Sequence, residues 1–360
     1  MHSLNVVERG VRWYRLASPP IRARSVPIVD TSLADVAALL RDAHDVTLLG
    51  HVNPDADAIG GALALGLALR ARGADVRVSF ARPAELQESL RRLDVEGLVV
   101  PPGKLPESEQ VLVAVDTPAV DRLGVLGGRV EATKRAGGSV LVIDHHPSNT
   151  EYGTHNVVDV EAEASVVVVL RILDELGHEL DANIARCLYA GLLTDTSGFR
   201  RASGDTHRMA ARLVDAGAEA NALSYELLDA HPFAWLPMLA NVLSGTQLEP
   251  DGAQGLGLVH AVVTRELASD VRFEEVESVI DVIRATREAE VAIVLKETEP
   301  RTASQCWTVS LRGKSAIDVS AVAKACGGGG HRLAAGCTID GTADEAMAAL
   351  RKALADAPRL

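Results

Sequence analysis

The chain has 360 residues, of which 47% are hydrophobic and 24% charged, and its formal net charge is −13. This composition argues against wholesale disorder, and the length is sufficient for two domains with cores of their own. The acidic charge and an aromatic content of 3% argue against a protein that holds long single strands by basic stripes and base stacking. Any phosphate-bearing substrate is therefore expected to be short.

The four cysteines form no CxxC pair, which is typical of reduced thiols in the cytoplasm. The N-terminus alternates charged and polar residues and lacks the apolar core of a signal peptide. The longest apolar run, residues 58–69, is too short to cross a bilayer. We therefore expect a cytoplasmic protein.

Strands and helices alternate along the first half of the chain. Residues 1–28, with three prolines, predict an irregular leader, and residues 29–215 a first domain. A helix is expected after Ser32, and a helix over 58–72 is expected to end at Gly73. Further elements are strands at 46–51, 76–80, 111–116 and 139–146 and helices at 164–176 and 182–194. Continuous apolar strands of this kind predict a mostly parallel sheet with helices on both faces.

A smaller α/β domain is predicted over residues 250–360, after a helical linker at 216–249. Its predicted strands are 255–263, 290–297 and 306–313, and its predicted helices are 274–286, 318–325 and 342–355.

Histidines and aspartates follow three of the predicted strands of the first domain. They are His51, Asp55 and Asp57 in HVNPDADAIGG, Asp116 in VLVAVD, and Asp144, His145 and His146 in VLVIDHH. The carboxyl ends of parallel strands lie at one edge of a sheet, where open α/β folds bind ligands. Asp195, in GLLTDTSGF, is placed to reach the same edge. A lone aspartate after a strand is more often a turn or cap residue, but the combination favours a metal site.

The donor types indicate which metals would bind. The six predicted ligands are His51, Asp55, Asp57, Asp116, His145 and Asp195. One zinc ion prefers fewer carboxylates, whereas mixed imidazole and carboxylate ligation suits a pair of Mn²⁺ ions, with Mg²⁺ or Co²⁺ as alternatives. Two such ions about 3.5–4 Å apart generate a hydroxide and clamp an in-line displacement at phosphorus.

The second domain carries GGGGHRLAAG at 327–336. Four glycines leave the backbone free to approach a ligand, and His331 and Arg332 favour an anion site over a plain flexible turn. Arg312, in SLRGK, is either a second anion contact or part of a solvated edge. Arg200 and Arg201 are either substrate contacts or plain surface charges, and Arg200 is favoured for a minor role.

These motifs resemble those of a known family. HVNPDADAIGG, VAVD, DHH and GLLTDTSGF are similar to the four metal motifs of the DHH phosphoesterases, and GGGGHRLAAG to the hallmark of the DHH-associated C-terminal domain. The resemblance covers about residues 29–356 and is strongest to the NrnA-like oligoribonucleases and pAp phosphatases, including an actinobacterial branch that turns over cyclic dinucleotides. It implies manganese-dependent hydrolysis of di- to pentaribonucleotides, pApA, pAp and cyclic di-AMP to mononucleotides. The resemblance places the active site in the cleft between the two domains of each subunit, and it implies a homodimer.

The resemblance also implies a role for each matching residue. One metal is expected on His51, Asp55 and Asp116, and the second on Asp57, Asp116, His145 and Asp195. Asp144 is expected to fix the His145 ring, and His146 to face the scissile phosphate as a charge stabiliser or proton donor. The far end of the substrate is assigned to Arg312, Gly328, Gly329, Gly330, His331 and Arg332, with Arg200. The family often has DTGSF where this chain has DTSGF, which puts the role of the adjacent backbone and serine hydroxyl in doubt.

Three other functions fit parts of the pattern. A pyrophosphatase of this superfamily carries a different C-terminal domain, without GGGGH. A RecJ-type exonuclease needs a longer and more basic channel than a chain of this charge predicts. A nucleotide sensor without turnover is expected to have lost a metal ligand, and every expected ligand is present. We expect no binding of duplex or long nucleic acid and no membrane association.

Overall fold

The computed structural model describes residues 31–299 and 305–360, so the predicted leader lies outside the described residues. The first domain is built on a five-stranded parallel sheet with the order β2-β1-β3-β4-β5. Its strands are β1 (Asp45–Leu49), β2 (Asp75–Ser79), β3 (Val111–Val115), β4 (Ser139–Asp144) and β5 (His155–Val158).

Helices cover both faces of this sheet. They are α1 (Leu33–Arg41), α2 (Ala56–Ala71), α3 (Glu88–Arg91), α4 (Gly128–Arg135), α5 (Ser165–Glu175), α6 (Ala182–Asp195) and α7 (Gly204–Asp215). The larger core contains α1, α2, α5 and α6 on one face, and a smaller core under α4 covers the other. Helix α2 is buried along its whole length to Leu69 because α6 packs directly on it. A parallel sheet with both faces covered, as predicted, is confirmed.

Two glycines permit the close approach of α2 and α6. A Cβ on Gly60 would lie 2.3 Å from the backbone oxygen of Cys187, and a Cβ on Gly191 would lie 2.9 Å from the Cα of Asp57. Because these neighbours are backbone atoms of another helix, a larger side chain would force the helices apart. The contact therefore fixes the start of α2, which carries Asp57, against the C-terminal half of α6, which carries Asp195.

The second domain contains a six-stranded mixed sheet with the order β10-β11-β9-β8-β7-β6, in which only β7 and β8 run parallel. Its strands are β6 (Gln247–Glu249), β7 (Leu258–Val263), β8 (Val291–Thr298), β9 (Cys306–Gly313), β10 (Gly329–His331) and β11 (Ala334–Asp340). The remaining helices are α8 (Ala220–Ser224), α9 (Trp235–Ser244), α10 (Gly252–Gly255), α11 (Phe273–Glu277), α12 (Val279–Ile283), α13 (Val319–Ala325) and α14 (Ala343–Ala355). Separate apolar cores lie on its two faces.

Some predicted elements differ in extent. The strand predicted from residue 255 begins at Leu258, because Gly257 has a φ of +87° and lies against the Glu288 carbonyl, where a Cβ would come within 2.0 Å. The single helix predicted over 274–286 is two short helices that meet at Ser278. The predicted domain limits at 29, 215 and 249 stay predictions. Among the described residues, no helix is long and apolar enough to span a membrane.

Candidate active site

The carboxyl ends of β1, β3 and β4 place the predicted ligands together. Asp116 follows β3 in a left-handed conformation with a φ of +55°, and His145 and His146 follow β4 directly. Asp55 is the N-cap of α2: its Oδ1 accepts the backbone N–H groups of Asp57 (3.1 Å) and Ala58 (3.0 Å). Capping fixes this carboxylate beside the sheet edge and leaves its second oxygen free.

One donor group consists of His51, Asp55 and Asp116, with ligand atoms within 4.8 Å of one another. The Nε2 atom of His51 lies 3.6 Å from Oδ2 of Asp55 and 3.5 Å from Oδ2 of Asp116. The other oxygen of Asp116 faces the second group, and it accepts a hydrogen bond from the Ser165 hydroxyl at 2.9 Å. Asp116 therefore contributes one oxygen to each side.

The second donor group consists of Asp57, His145 and Asp195. His145 Nε2 lies 3.3 Å from Oδ2 of Asp195, 3.5 Å from Oδ1 of Asp116 and 3.9 Å from Oδ2 of Asp57. The start of α5 fixes the Asp57 carboxylate through the backbone N–H groups of Ser165 (2.6 Å) and Val166 (2.9 Å). All six predicted ligands thus meet at one edge, and their role as ligands stays a prediction.

Backbone carbonyls orient both histidines. His51 Nδ1 lies 3.0 Å from the Val52 carbonyl oxygen, and His145 Nδ1 lies 3.0 Å from that of Ala162. A carbonyl oxygen only accepts, so each Nδ1 carries a hydrogen and donates it, and each Nε2 faces the carboxylates. With a cation bound, the neutral ring would present its Nε2 lone pair to that cation. Among the described residues, nothing hydrogen-bonds the buried His145 Nε2. Three carboxylates, those of Asp57, Asp116 and Asp195, surround this nitrogen. Because Asp116 also belongs to the first donor group, the arrangement fits a pair of divalent cations.

The prediction that Asp144 fixes the His145 ring is wrong. Asp144 Oδ1 accepts the backbone N–H groups of His145 (2.8 Å) and His146 (3.2 Å), and it lies 2.8 Å from His146 Nδ1. The turn after β4 directs the His145 ring away from Asp144 and towards Ala162. Asn149 donates to the other Asp144 oxygen at 2.5 Å. Asp144 is therefore buried beneath His146 and orients that ring instead.

The electrostatics of the site are those of a carboxylate cluster that attracts cations. Burial lowers the pKa of His51, but the adjacent carboxylates of Asp116 and Asp55 stabilise the protonated ring, outweigh that effect and raise the pKa to about 10. Burial also lowers the pKa of His145, but the carboxylates of Asp195 and Asp116 outweigh that effect and raise the pKa to about 11. Burial and the charges of Asp195 and Asp116 raise the pKa of Asp57. Divalent cations would supply the positive charge that protonated imidazoles supply here.

His331 reaches the site from the second domain. Its ring stacks on His146 with 4.2 Å between centroids and lies 4.9 Å from His145. Burial and the charges of His146 and His145 lower the pKa of His331 to about 3. The four glycines form the turn and strand that carry it: Gly330 has a φ of +137°, and a Cβ on Gly328 would lie 2.1 Å from the Gly336 oxygen. Close strand pairing therefore explains the glycines structurally.

The other predicted substrate contacts lie at different depths. Arg312 and His331 both align with Ala334 across adjacent strands, which places their side chains on one face of the second sheet. Arg312 is half-buried, and its guanidinium donates to the Leu311 carbonyl. Arg200 and Arg332 are exposed. The Arg332 carbonyl accepts from Val319.

Arg201 is the neighbour of Arg200, and the sequence favours Arg200 over it as a substrate contact. Its Nη2 atom donates to the Asp195 carbonyl oxygen (3.0 Å) and to the Ser197 hydroxyl (3.1 Å). Ser197, Gly198 and Phe199 all have positive φ angles, and this left-handed turn returns the chain so that Arg201 lies over Asp195. The Ser197 hydroxyl thus has a defined contact. The adjacent arginine pair was the available signal, but it did not indicate which arginine contacts the Asp195 carbonyl; the Arg201 side chain remains exposed beside it.

Comparison with known proteins gives the family. Residues 45–192 match the DHH family, N-terminal domain, and residues 257–357 match the DHHA1 domain. Over 81% of its length, the chain is 33% identical to the bifunctional oligoribonuclease and PAP phosphatase NrnA of Thermus thermophilus, of which it covers 83%. The chain belongs to the DHH family. As a DHH phosphoesterase it is a hydrolase of phosphoester bonds.

Two further comparisons agree with this assignment. Over 85% of its length, the chain is 24% identical to a probable bifunctional oligoribonuclease and PAP phosphatase NrnA of Streptococcus mutans, and it covers 93% of that protein. An exopolyphosphatase-related protein from Bacteroides fragilis superposes on 90% of the chain, with a TM-score of 0.79, 20% identity and 95% of that structure covered. The second comparison shows the shared fold.

Proposed function

We propose that this DHH protein is a manganese-dependent phosphoesterase that cleaves short nucleotides: di- to pentaribonucleotides, pApA, pAp and cyclic di-AMP. The observation that carries the proposal is the pair of donor groups that share Asp116 at the sheet edge, directly beneath His331 of the DHHA1 domain. The names of the relatives from Thermus thermophilus and Streptococcus mutans support the substrate class.

A pair of divalent cations, when bound, supplies water activation and charge neutralisation at the phosphoryl oxygens. The protein's own groups then position the phosphate. His146 is held through Nδ1 by Asp144 at 2.8 Å, which leaves its Nε2 atom free to give a proton to the leaving oxygen. Burial lowers the pKa of His146, but the hydrogen bond that its ring donates to Asp144 outweighs burial, so the pKa is raised above its ordinary value. The protonated form is the one that a general acid requires.

The DHHA1 domain supports the proposed limit on substrate length. His331 stacks at 4.2 Å on His146, and Arg312 lies on the same face of the DHHA1 sheet. A substrate held between the two domains therefore meets protein beyond the scissile phosphate. A net charge of −13 provides little attraction for a long polyanion. We also propose the homodimer that the family resemblance implies, which sedimentation at several protein concentrations tests.

A substrate panel tests the proposal. The wild-type chain is incubated with pAp, pApA, cyclic di-AMP and oligoribonucleotides of increasing length, in Mn²⁺, in Mg²⁺ and in EDTA, and products are separated by chromatography. We expect mononucleotides from the short substrates in Mn²⁺, none in EDTA, and a steep fall in rate with length. Tight dinucleotide binding without product would identify a sensor instead. Efficient processive degradation of long strands would favour a RecJ-type exonuclease.

A further inference from the structure

A cavity of about 640 Å³ lies between the DHH and DHHA1 domains, beside the candidate active site. Two of its residues, Asn53 and Pro54, belong to the loop between His51 and Asp55, so the loop that joins two members of the first donor group forms part of the lining. The proposed hydrolysis of a phosphoester assigns no part of the substrate to it. Its lining includes Asn53, Pro54 and Leu86 from the DHH domain and Phe273, Thr298 and Thr308 from the DHHA1 domain.

Phe273 is the aromatic wall of this cavity. It is the first residue of α11 and remains 46% exposed, so part of its ring is open to the cavity that it lines. The Lys296 ammonium lies 5.9 Å from its ring centroid. Lys296 is itself only 3% exposed and is fixed by Glu277 and by the Ser310 hydroxyl. The ring is therefore supported by a buried cation and exposes its remaining surface, while Pro54 and Leu86 supply further apolar lining.

The charges at the rim distinguish between a base and a phosphate. Arg272 lines the cavity, but its guanidinium is used by Glu275 at 2.6 Å, Glu274 at 3.3 Å and Glu88 at 3.6 Å. Glu85, Glu88 and Glu274 also line it. A phosphate would meet three carboxylates and a cation that is already paired. A flat, uncharged group with N–H donors fits this lining, since carboxylates accept from such donors and an aromatic ring stacks on its face.

We propose that this cavity binds a nucleobase of the substrate, stacked on Phe273 with its N–H groups towards the rim glutamates. The inference rests on the proposed function and deepens it. The scissile phosphate lies at the donor groups, and the base of the nucleotide on the Asn53 side enters the cavity. The cavity thereby selects substrates in which a nucleoside, and not a bare phosphate or sugar, occupies this side of the cleft.

The test compares Phe273→Ala with wild type on two substrates, pApA and an analogue in which the second nucleoside lacks its base. For pApA we expect KM to rise about tenfold, the loss of one base stack, with kcat nearly unchanged. For the abasic analogue we expect wild type and variant to have the same KM. Phe273→Trp, which keeps a stacking face, should restore tight binding of pApA. Phe233→Ala is the matched control, because Phe233 is 82% exposed and does not line the cavity.

Phe273→Leu keeps the apolar volume and guards against a folding defect in the alanine variant. It should also raise KM for pApA alone. An equal change on both substrates, or no change on either, would overturn the base subsite while leaving the hydrolysis of pApA by the wild type in place. Absence of pApA hydrolysis in the wild type would instead contradict the proposed function, and in that case direct binding of pApA to wild type and Phe273→Ala, measured by calorimetry, still decides the subsite.

Discussion

Asp116 and Asp55 each perform a structural and a chemical task. Asp116 takes a left-handed conformation after β3, which turns one carboxylate oxygen to His51 and the other to His145. Burial raises its pKa, but the hydrogen bond from His51 and the charges of His146 and His145 outweigh that effect and hold the pKa well below its ordinary value. Asp55 caps α2 with one oxygen and faces His51 with the other. The strained backbone and the burial of Asp116 are consistent with a functional site.

Arg201 is predicted to contribute to substrate affinity. Burial lowers the pKa of its guanidinium, which remains charged, and that charge lies beside Asp195 at the domain interface. We expect Arg201→Ala to raise KM for pApA by about ten- to hundredfold, the range for a hydrogen bond to a charged group, while kcat falls less. Steady-state kinetics at saturating Mn²⁺ measure this.

The matched control for Arg201 is Arg208→Ala, which removes an exposed guanidinium that pairs with Asp205 on α7. It should leave KM unchanged. Arg200→Ala, tested in parallel, decides which of the two neighbouring arginines contacts substrate. A large effect at Arg200 with none at Arg201 would contradict the assignment of the substrate contact to Arg201.

Glu249 on β6 gives a pH-dependent contribution to stability. Arg351 binds its carboxylate at 2.7 Å and lowers the pKa of Glu249 below 4.5, against the opposing effect of burial. A carboxylate with a lowered folded pKa stabilises the fold above its unfolded pKa, and this contribution is lost as the pH falls through the folded value. Glu249→Gln should therefore reduce the free energy of unfolding at neutral pH by up to about 1 kcal/mol for this partly exposed pair, and by less below pH 4.5.

Urea denaturation of wild type, Glu249→Gln, Arg351→Ala and the double variant at both pH values measures this coupling. At neutral pH the double variant should be no less stable than the worse single variant. The same loss at both pH values would show that Glu249 acts by packing and not by charge.

At the scale of elements, the contact between α2 and α6 aligns the two donor groups. Helix α2 begins at the capping residue Asp55, and α6 ends at Asp195. Their backbones approach so closely at Gly60 and Gly191 that the distance between Asp57 and Asp195 depends on the packing of two whole helices. A small shift of α6 would therefore alter the second donor group, whereas a shift of α2 would alter both groups, since α2 carries Asp57 and is capped by Asp55.

Gly60→Ala is expected to destabilise the DHH domain by about 1–3 kcal/mol, because the added methyl group overlaps the backbone of Cys187 and the gain in helix propensity is smaller. Thermal or urea unfolding measures the loss. Gly128→Ala, in α4, is the control: its Cβ would meet nothing within 4 Å, so the protein should be unchanged or more stable by up to about 1 kcal/mol. Equal stability of the two variants would contradict the proposed tight packing of α2 on α6.

Local pattern predicted most of these elements and failed where tertiary contacts decide. The buried strands and the helices around α2 follow from apolar runs, caps and glycine stops. The glycines at 327–330 show no strand pattern, yet Gly329 and Gly330 belong to β10 because β11 pairs against them. The role that the family resemblance implies for Asp144 at the His145 ring is wrong because the orientation of that ring depends on the Ala162 carbonyl, a contact 17 residues away in the chain.

At the scale of the whole molecule, the site is divided between two domains. All six predicted metal ligands lie in the DHH domain, and the DHHA1 domain places His331 above them. The convergence of the ligands was predictable, because one sheet edge collects the carboxyl ends of parallel strands. The cavity at Phe273 was not predictable, since it exists only where loops of one domain face the second sheet of the other.

This division predicts that metal binding and substrate binding separate by mutation. His331→Ala should retain both metal ions, because its ring stacks on His146 and the six predicted ligands all lie in the first domain. It should lower kcat/KM for pApA by about ten- to hundredfold. Metal content by mass spectrometry and kinetics on the same sample measure both effects. His44→Ala, exposed just before β1 at the opposite end of that strand, is the control. Loss of an ion in His331→Ala would make His331 a ligand.

The most direct test of the central claim is the number of Mn²⁺ ions bound per chain in the wild type, in Asp57→Asn and in Asp116→Ala, measured at equilibrium together with hydrolysis of pApA. Because Asp116 is common to both donor groups, we predict two ions in the wild type, one in Asp57→Asn, and neither ion tightly bound nor pApA hydrolysed in Asp116→Ala. A wild type that binds a single ion, or an Asp116→Ala variant that retains both ions and full manganese-dependent hydrolysis, would contradict it.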